Sequence, residues 1–201
     1  MKIKAILVCL VVFSSFVSLA QPNENNWLVK WDANNKISWD NFVVKDTIDR
    51  YAAESNTFFK ANFYLKNDSV FCQVITYLNA DRSWRKPSLQ TDGEYAINHE
   101  QIHFDITEIF ARRIRKELIL NAANEPKVEK IYFDNAKACR EFQELYDNET
   151  RHSLDKRNQE RWNKHVRLLL LSLDNYKEQA IYVKNPWCKI CWKNMPALAN
   201  K

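Results

Sequence analysis

Glycine is almost absent from the 201 residues, and Gly93 is the only one. A phosphate-cradling P-loop needs two glycines and the G-x-G-x-x-G dinucleotide fingerprint needs three, so neither motif can be written in this chain. Turns must be made by Asn, Asp, Pro and Ser, and Asn is frequent between the apolar runs. A strong charge of one sign is missing too. The formal net charge is +5, and no long block of like charges occurs, so nothing demands a nucleic-acid partner. After the N-terminus, no apolar run is long enough to span a bilayer. Aromatic residues, by contrast, are plentiful. Seven Trp, eight Tyr and eleven Phe in a chain 46% apolar exclude a disordered chain and suffice for one domain with its own core.

The first residues read as an export signal. Lys2 and Lys4 precede an apolar run from Ala5 to Val17, and Ser18-Leu19-Ala20 is a small-x-small cleavage site. The expectation is a signal peptide over 1–20 and a single domain over 21–201, periplasmic or secreted, with no membrane span after cleavage. Its core would lie at about 27–175. Losing Lys2 and Lys4 takes the charge from +5 to +3. Cys72, Cys139, Cys188 and Cys191 remain. In an exported protein this even count permits two disulfides of undetermined pairing, and the C-x-x-C at 188–191 reads as structural.

The pattern predicts an α+β fold, an N-terminal antiparallel β-sheet followed by a helical half. Strand character runs from 27 to about 84. Residues 36–39 form a short strand, and two longer runs within 52–65 and 69–78 make a hairpin across Lys66-Asn67-Asp68. From about 92 the period becomes helical, with Ile102, Ile106, Ile109 or Phe110, and Ile114 on one face and Leu118 beyond. Further helices are expected at about 128–146 and 154–173, then an irregular tail over 182–201. Arg112, Arg113, Arg115 and Lys116 would close the first helix, where cations suit the dipole.

His99-Glu100-Gln101-Ile102-His103 is the one motif that carries chemistry. Two His four apart on a helix share a face and can grip one zinc ion, while the Glu beside the first reaches a water instead of the metal. Zinc lowers the pKa of such a water towards neutrality, and the carboxylate takes its proton. A catalytic zinc needs a third ligand and an open position. Position 109 is Ile, which rules out the metzincin extension, and Glu108 is turned away around the helix. His152, at the junction of the second and third helices, is the preferred third ligand, with Glu141, Glu144 and Asp147 as rivals. His165 is read as a surface residue. Asp147 or Glu149 would orient an imidazole, and Tyr146 would donate to a developing oxyanion.

Ile37 to Phe42, Ala52-Ala53, Ser83-Trp84, Asn98 to Ile106 and Tyr146 to His152 occur in that order. Together, over roughly residues 27 to 170, they resemble a bacterial family of predicted secreted zinc-dependent proteases catalogued as a domain of unknown function. The resemblance implies a metallopeptidase acting on peptides or proteins, with His99, His103 and His152 on zinc and Glu100 as base. Two positions depart from the family pattern: Ile102 and Ser153 stand where glycine is expected. The same metal site would also serve a cell-envelope amidase. A closed four-ligand site would instead mark a non-catalytic envelope protein.

Overall fold

Ten residues facing eleven make the scaffold. β4 (Thr57–Lys66) and β5 (Ser69–Asn79) pair antiparallel in one continuous register, from Thr57 opposite Leu78 to Lys66 opposite Ser69. This is the hairpin expected from the sequence. The computed structural model describes residues 27–48, 51–66, 69–89, 93–121 and 128–184. The expected export signal and the 188–191 motif lie outside them. The fold is α+β: an N-terminal sheet region followed by three helices.

Two short strands share the far edge of β5. β1 (Leu28–Lys30) pairs antiparallel with its last residues and β7 (Ala180–Lys184) with its first. β7 falls partly in the segment expected to be irregular. Ile181, Tyr182 and Val183 favour a pleated edge, and β5 offers an unpaired one there. Between β1 and β7 the carbonyl of Val74 accepts from the Arg115 guanidinium, at 2.7 Å from Nη2 and 3.1 Å from Nε.

A second, small sheet joins β2 (Val43–Val44), β6 (Trp84–Arg85) and β3 (Ala53–Glu54) in the order β2-β6-β3, so β3 is an outer strand. The strand expected at 36–39 does not form. Ser38 N–H donates to Asn41 Oδ1 (2.9 Å), and Trp39–Asn41 turn as a short 3-10 helix. A local side-chain bond has displaced the ladder there.

The three helices are α1 (Gly93–Leu120), α2 (Val128–Thr150) and α3 (Lys156–Ser172). Ile102, Ile106, Ile109, Phe110, Ile114 and Leu118 are buried together with residues of β4, β5, α2 and α3. A second cluster joins Trp31, Ile37, Phe42, Leu78 and Phe104. Gly93 opens α1 where a Cβ would come within 2.9 Å of Trp39 Nε1, so close approach accounts for the sole glycine. No helix among the described residues is long and apolar enough to cross a membrane.

The basic run is not a helix terminus. α1 continues to Leu120, and Arg112 and Arg115 are buried around the fully buried Glu108. Arg112 Nε and Arg115 Nη1 each lie 3.0 Å from Glu108 Oε1, and Thr76 Oγ1 donates to Oε2 at 2.8 Å. The carboxylate that the helical angle turns away from the imidazoles thus anchors α1 to the sheet.

Cys72 and Cys139 are buried free thiols, and burial pushes both up to about 12. They pack as small apolar side chains. Among the described residues no disulfide forms.

Candidate metal centre

Because α1 repeats every 3.6 residues, His99 and His103 stand one above the other on the face turned to α2. Their Nε2 atoms are 3.2 Å apart. On α2, Gln143 and Asp147 have the same four-residue spacing and meet the pair side-on. Asp147 Oδ1 lies 3.1 Å from His99 Nε2 and 3.0 Å from His103 Nε2. Three ligand atoms thus converge on one point, and among the described residues His99, His103 and Asp147 form the group able to hold a metal ion. Tetrahedral zinc with bonds near 2.1 Å would separate its ligands by about 3.4 Å, so the observed triangle is a few tenths of an ångström from fitting.

The hydrogen bonds behind the ligands fix which ring nitrogens face that point. His99 Nδ1 meets Gln159 Oε1 at 2.9 Å, and His103 Nδ1 meets Gln143 Oε1. Both amides are oriented by their other ends. Gln143 Nε2 donates to the His103 carbonyl and to Thr107 Oγ1, and Gln159 Nε2 donates to Asn163 Oδ1. With each Nδ1–H given to an amide oxygen, both rings turn Nε2 towards the Asp147 carboxylate. Three acceptors at 3.0 to 3.2 Å repel unless a proton or a cation sits among them. The ionisation balance follows. Burial pulls His103 down, but the Asp147 hydrogen bond and charge outweigh it, and its pKa is raised. Burial raises Asp147, but its bonds to His103 and His99 win and hold it well below the usual carboxylate range.

Glu100 is also buried, and its Oε2 has no hydrogen-bond partner. It lines a cavity of about 390 Å³ together with His99, His103, Asp147, Gln143, His152 and the segment 51–57. An unpaired carboxylate oxygen in a polar cavity beside three metal-ligand atoms can accept from a water held there.

The other expected residues take different places. His152 stands beside the triangle: its Nδ1 is 3.5 Å from Asp147 Oδ1, and its ring lies on Tyr51 at 4.1 Å. Asp147, one of its rivals, occupies the third position between the imidazoles. Arg151, His152 and Ser153 all have positive φ, at 52°, 50° and 68°, and this left-handed run swings the chain from α2 into α3. Ser153 therefore sits in backbone that favours glycine. Tyr146 is fully buried behind His99, stacked on its ring at 4.6 Å, with its hydroxyl 2.8 Å from Gln159 Oε1. It is not among the cavity walls, so its hydroxyl braces an imidazole instead of facing an oxyanion. Glu141 and Glu144 are exposed, Glu141 beside Lys137. Glu149 accepts from Trp162 Nε1 at 2.9 Å, not from an imidazole. His165 is exposed, as expected.

Gln143 and Gln159 escaped sequence reasoning. The available signal was weak: Gln159 falls on the buried stripe of α3 with Trp162 and Val166, and a polar residue on such a stripe requires a partner.

Comparison with protein families, curated proteins and solved structures finds no match for this chain.

Proposed function

We propose that this chain is an exported zinc-dependent peptidase, with zinc held by His99, His103 and Asp147 and with Glu100 as general base. The observation that carries the reading is the convergence of two imidazole Nε2 atoms and one carboxylate oxygen within 3.2 Å, beside a buried carboxylate oxygen lacking a partner. The donor set suits zinc: borderline nitrogen ligands, one carboxylate, and three members among the described residues. A three-ligand set leaves a coordination position free, which favours catalysis over a closed structural site. The order of sequence blocks shared with the secreted zinc-dependent protease family agrees with this reading, as does the basic, apolar, small-x-small N-terminus.

When bound, the ion would acidify a water and polarise the substrate carbonyl. The chain supplies the rest. Glu100 Oε2 takes a proton from the attacking water and passes it to the departing amine nitrogen. Gln143 and Gln159 hold both imidazoles with Nε2 forward. Tyr146 packs across both rings, stacked on His99 and edge-on to His103 at 4.9 Å, and excludes water from behind them. His152, half-buried at the cavity wall, is a ring donor placed to meet a substrate oxygen.

The test is elemental analysis for zinc combined with turnover of a peptide library. The mature protein should hold one zinc per chain and cleave peptides until a chelator is added. Glu100→Gln should keep the zinc and lose about 10²- to 10⁴-fold in turnover. A zinc-loaded Glu100→Gln variant as active as the wild type would refute the assignment.

A further inference from the structure

We infer that the cleft selects a cationic group on its substrate, the ammonium or guanidinium of a basic side chain, and that Glu54 receives it; the inference rests on the metal-centre reading above.

Among the described residues, the cavity walls hold three carboxylates, Glu54, Glu100 and Asp147, and no Lys or Arg. A divalent ion on the triad has its two charges offset by Asp147 and Glu100. Glu54 is then the formal charge left over in the walls. An α-carboxylate or phosphate on the substrate would find no side-chain cation to meet, and a cation would find a carboxylate. Low-dielectric walls amplify that preference.

Glu54 is also held ready. It lies on the outer strand β3, exposed, between Ala53 and Ser55, so no bulky neighbour in sequence shields it from the cavity. Its Oε2 accepts from the indole N–H of Trp84 at 3.1 Å, and Trp84 is buried. That bond fixes the carboxylate without neutralising it. Glu54 forms no ion pair among the described residues. Of the nearby basic groups, Lys45 Nζ sits over the Trp84 ring at 5.1 Å from its centroid, and Arg85 stands opposite Ala53 in the register, on the other face of the small sheet from Glu54. A pre-oriented, unpaired carboxylate loses little entropy when a ligand ammonium arrives.

Two ligands of similar size that differ in charge test the inference without relying on turnover. The hydroxamates of Nα-acetyl-lysine and Nα-acetyl-norleucine both chelate zinc through the same group. Calorimetry on the zinc-loaded protein should give a Kd about fivefold lower for the lysine compound, the upper end for a partly solvated ion pair. Glu54→Gln should erase that ratio. Glu54→Lys should reverse it, and both variants should retain one zinc per chain. Equal affinities in the wild type, or a ratio unchanged in Glu54→Gln, would overturn the inference, as would failure of either hydroxamate to bind. A parallel peptide assay separates this from the peptidase reading. A lysine preference in binding with no peptide turned over leaves Glu54 standing and sinks the peptidase, whereas turnover indifferent to charge does the reverse.

Discussion

Each imidazole of the triad owes its direction to one amide. Removing Gln143 or Gln159 frees an Nδ1–H and lets the ring turn or change tautomer, so each Ala variant should weaken zinc about 10- to 100-fold. Gln→Glu at the same positions should restore binding, because a carboxylate accepts the same hydrogen. A competition titration against a chromophoric chelator measures both, and unchanged affinity in the Ala variants would contradict the tautomer argument. Ser153 carries a separate prediction. Its φ of 68° is strained for any residue with a Cβ, so Ser153→Gly should raise stability by about 1 kcal/mol in urea melts. A fall would show that the serine side chain matters more than its backbone. At this scale the sequence exposed His99, Glu100 and His103, because a helical period makes residues four apart neighbours. It favoured His152 over Glu141, Glu144 and Asp147, whereas Asp147 is the one that meets both imidazoles. That choice depends on how α2 is rotated against α1 and on a left-handed turn at 151–153, and neither is local information.

α1 does two jobs along its length, presenting the ligands in its first half and gripping the sheet in its second. The grip is ionic: Glu108, with no exposed surface, bonds Arg112, Arg115 and Thr76, and Arg115 reaches the carbonyls of Val74 and Tyr176. Glu108→Gln leaves two buried guanidinium groups facing a neutral amide, and the expected loss is about 3 to 5 kcal/mol in a denaturant melt. A loss under 1 kcal/mol would mean that water or backbone carbonyls already satisfy the arginines. The hairpin and three helices were legible because their periods of 2 and 3.6 extend over many residues. β7 and the 3-10 turn at 39–41 were not, since a five-residue edge strand and a single turn are decided by what they pack against. The same limit hid the arginines: a basic run looks like a helix end until the helix is seen to continue.

For the whole molecule, the centre couples folding to protons and metal. Without metal, the raised His103 contributes stability that is complete below its ordinary 6.5 and lost as pH rises through its folded value. The lowered Asp147 contributes stability complete above its ordinary 3.8 and lost as pH falls through its folded value. The metal-free protein should therefore lose stability as pH climbs above 6.5. Zinc binding, which displaces the His103 proton, should stabilise more at the same time. Melting temperatures with and without zinc should diverge with rising pH, and parallel curves would count against proton–metal competition. The most direct test is a zinc titration of the mature wild type beside Asp147→Ala and His152→Ala. One zinc per chain is expected in the wild type, with affinity reduced more than about 100-fold in Asp147→Ala and largely kept in His152→Ala. Wild-type affinity in Asp147→Ala, with zinc lost only from His152→Ala, would contradict the His99–His103–Asp147 centre.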